Sequence, residues 1–205
     1  MAPIPQNQRP RSKHDLFLRV RCFFGKAISL FPLAGLLTTA SGGFAAEGSL
    51  PEHQVKALFL LNFAKYVDWP AEAFADPGSP IVIAVLGESK VTQEMQKMLA
   101  GRNANGRPIV LRHLASGEDP GGCHILFITA AEQPHASAIL SKLGHASVLT
   151  VGESNDFLDC GGIINLARRD QKVALEVDLN AARNSGITIS SKLLSVAAVV
   201  KGKSQ

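Results

Sequence analysis

The sequence lacks most of the short motifs by which enzymes are recognised. None of the five histidines after residue 46 forms H-x-x-x-H or pairs with a cysteine at the spacing of a metal site. The phosphate-binding patterns G-x-G-x-x-G and Walker A are absent, as are the nucleophile motifs G-x-S-x-G and S-x-x-K. We therefore expect no catalytic residue, no metal site and no cofactor.

Cysteine is also scarce, with three residues in a chain of 205. Cys22 belongs to the N-terminal leader described below, which leaves Cys123 and Cys160. One precedes a predicted strand and the other follows the loop after the next strand, so parallel strands place them at opposite ends. A five-residue strand spans about 17 Å, and bridged Cα atoms lie within about 7 Å. We therefore expect no disulfide between them.

The folded part of the chain carries no excess of positive charge. The sequence has 21 basic and 17 acidic residues, but six basic residues and one acid lie before residue 27. Phosphate binding needs clustered lysine and arginine on the folded domain, and only Arg102, Arg107 and Arg112 approach a cluster. We expect no nucleic-acid partner.

The N-terminus is typical of an export signal. Basic residues precede the apolar segment Ala27–Leu37, which is too short to span a bilayer because a span needs about 20 apolar residues. Small residues follow, and cleavage is expected after Ala45 or Ala46. A buried helix is the alternative, but Pro32 and Gly35 disfavour it. We interpret residues 1–46 as a signal peptide and residues 47–205 as a single α/β domain, exported to the periplasm.

The central part of the chain alternates helices with apolar strands. Ile81–Leu86 is a continuous apolar run, which indicates a strand buried on both faces. The alternation predicts an open, mostly parallel sheet with helices on both faces. The other predicted elements of this part are a helix ending near Val67, strands Pro108–Arg112, His124–Thr129 and Ser147–Val151, and helices Val91–Leu99 and Glu132–Leu143.

The C-terminal part predicts an antiparallel hairpin followed by short helices. Gly162–Ala167 and Lys172–Val177 are β-rich runs joined by a polar turn. Asn180 is expected to cap a short helix, and Ser190 to begin a last helix that carries the apolar residues from Leu193 to Val200. The hairpin thus adds antiparallel strands to one side of the sheet.

The first helix has a second apolar patch and an aromatic tip. Leu58 and Leu61 lie away from its main apolar face, and Tyr66 and Trp69 stand where Pro70 ends it. Aromatic anchors dominate protein interfaces, so we expect Leu58, Leu61, Tyr66 and Trp69 to contact a partner protein. The alternative is that a neighbouring helix of the same chain covers the patch.

The predicted sheet also defines a crevice at the carboxyl ends of its strands, where α/β proteins bind ligands. An enzyme using this crevice is one alternative, although Gly87-Glu88-Ser89 is more typical of an ordinary turn between strand and helix. The residues expected to line such a crevice are Gly87, Glu88, Thr129, Gly152 and Glu153.

Several ordered motifs resemble the YfiR family. They are VKALFLLNFAKYVDWP, IVIAVLGES, CHILFIT, LTVGESNDFLDCGGIINL and KVALEVDLNAARNSGITISSKLL, and together they cover nearly all of the chain after Gly48. The resemblance implies a dimeric periplasmic α/β protein that represses a membrane-bound diguanylate cyclase of the YfiN type, and so lowers cyclic di-GMP. The implied partner is the periplasmic domain of an inner-membrane diguanylate cyclase or sensor kinase.

The resemblance also implies a small-molecule effector. It places an acidic residue of a late strand near a pocket, and Glu176 is the position that matches, with Ser190 as a possible neighbour in the same pocket. Glu176 and Asp178 also share a strand face in the pattern of a hydrolase carboxylate pair, but a solvated face is the commoner cause of such alternation. A periplasmic small-molecule sensor without a cyclase partner remains the alternative function.

Overall fold

The computed structural model describes residues 50–202. The predicted signal peptide, residues 1–46, lies outside the described residues. In chain order the helices and strands are α1 (Glu52–Tyr66), β1 (Val67–Asp68), β2 (Ile81–Leu86), α2 (Lys90–Met98), β3 (Asn103–Ala104), β4 (Arg107–Leu114), β5 (Ile125–Ile128), α3 (Ala136–Leu143), β6 (Leu149–Gly152), β7 (Ile164–Arg169), β8 (Lys172–Asp178), α4 (Leu179–Asn184), β9 (Thr188–Ile189), α5 (Ser191–Leu194) and β10 (Val199–Lys201).

An eight-stranded sheet forms the centre of the fold, in the order β10-β8-β7-β6-β5-β2-β4-β3. The pairs from β4 through β2, β5 and β6 to β7 are parallel, and β10 also runs parallel to β8. The β7–β8 pair is antiparallel. A separate two-stranded sheet joins β1 to β9. The predicted mostly parallel sheet with a C-terminal antiparallel hairpin is therefore confirmed.

Helices cover both faces of the sheet, as predicted. The larger core packs α1, α2, α4 and α5 against one face, which we call the α1 face. The smaller core packs α3 and Phe157 against the other, the α3 face. Strands β5 and β6 are buried throughout, and β2 nearly so. Burial on both faces explains why these strands read as unbroken apolar runs.

The hairpin between β7 and β8 turns within two residues. Asp170 and Gln171 have φ angles of 47° and 64°, the left-handed pair that a type I′ turn requires because its twist matches that of the strands. The predicted four-residue turn from Arg168 to Gln171 is shorter in the structure, since Arg168 and Arg169 continue the β7 ladder.

Two local predictions near the C-terminus are wrong. The cap of α4 is Asp178, whose carboxylate accepts hydrogen bonds from the backbone N–H groups of Asn180 and Ala181; Asn180 itself lies inside the helix. The last helix ends at Leu194, and Val199–Lys201 returns to the sheet as β10. Residues 193–200 satisfy a helical spacing, but pairing with β8 provides backbone partners that a sequence pattern does not show.

The described residues include two cysteines, both with free thiols. Cys123 is buried and Cys160 is exposed. Within residues 50–202, no helix is both long and apolar enough to cross a bilayer.

Candidate functional site

The tip of α1 is fixed in place by contacts on both sides. The β1 strand that follows Tyr66 pairs with β9, and the Tyr66 carbonyl accepts a hydrogen bond from the Ser190 N–H at 2.9 Å. Trp69 donates its indole N–H to the His124 carbonyl at 3.2 Å. Both aromatic side chains are half-buried, so each keeps part of its surface accessible.

His124 and its neighbours pack beside Trp69. The Phe74 ring stacks on His124 with centroids 4.5 Å apart, and the Arg107 guanidinium lies 3.7 Å above the centre of the Phe74 ring. A cavity of about 270 Å³ opens here, lined among others by Trp69, Phe74, Asn105 and Arg107. Neither Phe74 nor Arg107 was predicted to contact a partner, because the residues of this cluster come from separate loops and strands. We call Trp69, Phe74, Arg107 and His124 the aromatic cluster.

The His124 ring is held in its neutral form. Its Nδ1 atom accepts a hydrogen bond from the Val82 N–H at 3.1 Å, and its Nε2 lies 3.1 Å from the Ala73 carbonyl, to which it donates. Burial lowers the pKa of His124, the Ala73 carbonyl acts in the opposite direction, and the Arg107 charge lowers it further. His124 therefore has a structural role here. Cys123 beside it makes no dyad with it, because Cys123 belongs to the α3-face core whereas the His124 ring stacks on Phe74, which packs on the α1-face core.

The predicted contact residues on α1 do not share one exposed patch. Leu61 is only 4 % exposed and belongs to the core, because α1 packs against α2 and α5 as well as the sheet. The prediction that Leu61 lies on an open surface is wrong, and the alternative of cover from within the chain holds for it. Leu58 is half-buried and keeps part of its side chain accessible.

Glu176 lies in a buried polar network on the α3 face of the sheet. It is only 6 % exposed, and its Oε2 atom accepts a hydrogen bond from Asn165 Nδ2 at 3.0 Å. Its Oε1 atom accepts two hydrogen bonds from the Arg169 guanidinium, one of them from Nε at 2.9 Å. Asp178, the other member of the supposed carboxylate pair, caps α4. The network occupies both oxygens of Glu176, and the expectation of a wet strand face is wrong at this position.

Glu176 and Ser190 do not line one pocket. The neighbours of Glu176 along β8 belong to the α1-face core, so alternation directs Glu176 to the α3 face. Ser190 instead begins α5, whose Leu193 packs in the α1-face core, and its hydroxyl caps that helix by accepting from the Leu193 N–H at 3.4 Å. The predicted shared pocket is wrong, because the sheet separates the two residues.

On the α1 face, Lys56 forms an ion pair with Glu153 at the carboxyl end of β6. Lys56 is only 7 % exposed, and its Nζ lies 2.6 Å from both Glu153 Oε2 and Glu52 Oε1. Glu153 Oε1 also accepts a hydrogen bond from the Ala130 N–H at 2.7 Å. Burial acts to lower the pKa of Lys56, but its hydrogen bonds to Glu153 and Glu52 outweigh burial and raise it. Glu153 thus joins α1 to the end of β6.

The other predicted crevice residues meet different neighbours. Gly87 and Thr129 approach the buried side chain of Glu132, beside a cavity of about 500 Å³ on the α3 face. Gly152 instead packs against the ring of Phe157, and the Glu88 side chain is 96 % exposed. The predicted crevice residues therefore all lie near the carboxyl ends of the strands, but they do not line one continuous crevice.

Comparison with known proteins places this arrangement in a family. Residues 53–198 match a family model described as YfiR/HmsC-like. No curated protein matches the chain. Among solved structures, a conserved domain protein from Vibrio cholerae O1 biovar eltor is similar, with 12 % identity and a TM-score of 0.47. That alignment covers 59 % of this chain and 55 % of the Vibrio protein, so the match spans about half of its length.

Proposed function

The chain belongs to the YfiR/HmsC-like family, a family of periplasmic regulatory proteins, and we propose that it binds and represses the periplasmic domain of an inner-membrane diguanylate cyclase. Repression would lower cyclic di-GMP. The observation that carries this proposal is the family match over residues 53–198. A sensor kinase with a periplasmic domain is the other signalling partner of the same kind. The proposal includes export by the N-terminal signal peptide and action as a homodimer.

The aromatic cluster is the contact surface that we propose for the partner. Tryptophan and arginine are the residues most enriched among those that dominate binding energy, and Trp69 and Arg107 line one cavity. Both are fixed before a partner arrives: Trp69 by the His124 carbonyl, and Arg107 by the Asp76 and Ser79 carbonyls at 3.0 and 2.8 Å. A surface that is already ordered loses little side-chain entropy on binding.

Two residues of α1 are also proposed as partner contacts, Tyr66 and Leu58. Tyr66, the last residue of α1, is half-buried three residues before Trp69, and Leu58 is half-buried two turns earlier in the same helix. Leu61 is left out because it lies in the core. The revised set of partner-contact residues is Leu58, Tyr66, Trp69 and Arg107.

The mechanism requires a difference in affinity between two states of the partner. A repressor holds the cyclase inactive only if it binds the inactive arrangement of the periplasmic domain more tightly than the active one. A signal that releases the cyclase must in turn bind free and partner-bound repressor with different affinity. We propose that a small-molecule effector provides this difference.

The test is capture of membrane proteins by the tagged, exported chain from Glu47 to Gln205, with mass spectrometry of what co-purifies. We expect an inner-membrane cyclase or sensor kinase. Trp69→Ala should reduce its recovery at least about tenfold, as for a dominant interface residue, and Leu58→Asp should also reduce it. Trp69→Phe keeps a ring at the site, and Val110→Ala changes an exposed apolar residue of β4 as the matched control.

Two results would contradict the proposal. If adequately expressed chain recovers no membrane signalling protein, the partner is not of this class. If Trp69→Ala and Val110→Ala recover the same amount of cyclase, with both variants folded by circular dichroism, the contact surface lies elsewhere.

The second candidate function is a periplasmic small-molecule sensor that has no cyclase partner. The observation that favours it is the cavity of about 500 Å³ on the α3 face, since small-molecule sites occupy cavities of roughly 300–1,000 Å³. Saturable ligand binding together with failure of the membrane capture would support this function over repression.

A further inference from the structure

The topology of the sheet singles out the gap between β2 and β5. From β2 the chain crosses by α2 to β4 on one side, and it then returns to β5 on the other side of β2. Helix α2 lies on the α1 face and α3, which follows β5, lies on the α3 face. The connections after β2 and β5 therefore diverge, and open α/β sheets bind ligands at such a switch point, beyond the carboxyl ends of the strands.

A cavity lies at this switch point. It has a volume of about 500 Å³ and is bounded by Leu86 at the end of β2, by the loop Ser116–Pro120 after β4, and by Glu132 and Ile139 around the start of α3. Its walls thus come from the end of one strand, from the loop after β4, and from the connection after β5 with the helix that follows. Leu86 and Ile139 provide an apolar side, and Glu132 provides a buried charge.

One oxygen of Glu132 is left for a ligand. Glu132 is only 7 % exposed, and its Oε2 atom accepts a hydrogen bond from Ser116 Oγ at 3.1 Å and lies 3.3 Å from His135 Nδ1. Within residues 50–202, its Oε1 atom accepts no hydrogen bond from the protein, and it is not one of the fully buried atoms that lack a partner. Oε1 is therefore accessible from the cavity, and a carboxylate can accept at both oxygens.

Gly87 makes the room in which this carboxylate lies. A Cβ atom at position 87 would lie 2.5 Å from Thr129 Oγ1 and 2.9 Å from Glu132 Cγ, and Gly87 has a φ angle of 86°. Both facts exclude a larger residue. The Thr129 hydroxyl, on the other side of the same space, is buried without a hydrogen-bond partner in the described part of the chain.

From this geometry we infer that the cavity binds a small organic molecule through a protonated amino group, which donates to Glu132 Oε1. Three carboxylates line the cavity, those of Glu118, Asp119 and Glu132, against the two basic side chains of His135 and Lys142. Glu118 and Asp119 each accept from a backbone N–H of their own loop and, like Glu132, keep one oxygen without a protein partner among the described residues. Both are exposed loop residues, whereas Glu132 is buried, so a charged hydrogen bond to Glu132 is the least weakened by solvent. The apolar body of the ligand packs against the Leu86 and Ile139 side of the cavity.

This inference goes beyond the proposed repression, because the chain forms the cavity without any partner. Binding is therefore measured on the isolated chain from Glu47 to Gln205, and failure of the membrane capture leaves the result standing. The probes are phenethylamine and hexylamine, each compared with the alcohol of the same shape, 2-phenylethanol and hexanol. The readouts are isothermal titration calorimetry and the ligand-dependent shift of the melting temperature.

We expect at least one amine to bind saturably, and its alcohol to bind at least about tenfold more weakly, since hydrogen bonds between charged groups are the strong ones. Glu132→Gln should weaken amine binding by a similar factor. Glu88→Gln removes the same charge from a neighbouring carboxylate that does not line the cavity, and it should leave binding within about twofold of wild type.

A cavity-filling variant keeps the test decisive if Glu132→Gln does not fold. Ala138 is exposed on α3 and lines the cavity, so Ala138→Trp should fold and abolish amine binding while leaving Glu132 in place. The inference is overturned if neither amine binds saturably up to roughly 10 mM, if amine and alcohol bind alike, or if amine binding survives both Glu132→Gln and Ala138→Trp.

Discussion

Lys56 Nζ lies 2.6 Å from Glu153 Oε2, and this buried contact joins α1 to the end of β6. The two residues are 97 positions apart in the sequence. Glu52, one helical turn before Lys56, accepts from the same ammonium group. The ion pair therefore ties the N-terminal part of α1 to the carboxyl end of β6, at the opposite end of the helix from its aromatic tip.

Removal of this cation should destabilise the fold strongly. Lys56→Met leaves Glu153 partly buried without its charge partner, and breaking a buried pair in this way costs roughly 3 kcal/mol in the free energy of unfolding. Lys97→Met is the matched control, because Lys97 pairs with Glu94 at the surface and should contribute less than about 1 kcal/mol. Urea denaturation followed by circular dichroism measures both. If both variants lost the same free energy of unfolding, the Lys56 ion pair would contribute no more than a surface ion pair.

The free energy of unfolding should decrease as the pH is lowered below the ordinary pKa of histidine. Burial lowers the pKa of His124 in the folded state, so below the ordinary histidine pKa of about 6.5 the unfolded chain binds a proton that the folded chain does not. The contribution of His124 is therefore fully present above about pH 6.5 and is lost as the pH falls towards the lower folded pKa.

The measurement is the free energy of unfolding at a series of pH values between about 7.5 and 5.5. His124→Gln should be less stable at neutral pH and should show a shallower dependence on pH in this range. His145→Gln replaces an exposed histidine and should keep the slope of the parent chain. If His124→Gln retains the full slope, another group is responsible for it.

The two cysteines should differ in reactivity. Burial is the largest influence on Cys123 and raises the pKa of its thiol to about 11, so roughly one thiol in a thousand is ionised at pH 8 and the side chain is also shielded from reagents. Cys160 is exposed. N-ethylmaleimide should add once to the native chain from Glu47 to Gln205, at Cys160, and twice in urea, as read by mass spectrometry. Rapid native labelling of Cys123 would contradict the buried environment.

Alanine at position 152 should destabilise the fold, because its Cβ atom would overlap the ring of Phe157. A Cβ atom at Gly152 or Gly162 would overlap that fully buried ring, and overpacking a core costs about 1–3 kcal/mol. Gly78→Ala, in an exposed loop, is the control and should change stability by less than about 0.5 kcal/mol. Phe157→Ala should remove the clash, so the double variant Gly152→Ala with Phe157→Ala should be no less stable than Phe157→Ala alone. If the two substitutions lowered the free energy of unfolding additively, the contact between position 152 and the Phe157 ring would not be the cause of the loss.

The pattern of apolar residues along the sequence predicted those helices and strands whose formation depends on neighbouring residues. The apolar run of β2 is a local signal, and the structure confirms it as a buried strand. The β7–β8 hairpin also followed from its pattern, since its two strands are neighbours in the sequence. In each case the relevant contacts lie within a few residues or across one turn.

The remaining features depend on contacts between distant residues. Three residues of β10 pair with β8 across the end of the sheet, while their spacing alone favoured a helix. Glu176 alternates with apolar residues as a solvated position would, yet Arg169 and Asn165 neutralise and bury it. The α3-face cavity combines the end of β2 with the segments that follow β4 and β5, and neither Glu132 nor Ser116 belongs to a recognisable motif. A single sequence does not show these pairings.

One end of the large sheet leaves part of a strand open. β3 pairs with β4 only at Arg107 and Pro108, so the outer side of β4 from Val110 to Leu114 has no partner strand within residues 50–202. Long open edges are the usual starting point of uncontrolled strand addition and fibre growth. Arg112 and His113 lie within this open stretch, and polar or charged side chains on an edge strand oppose the addition of another chain.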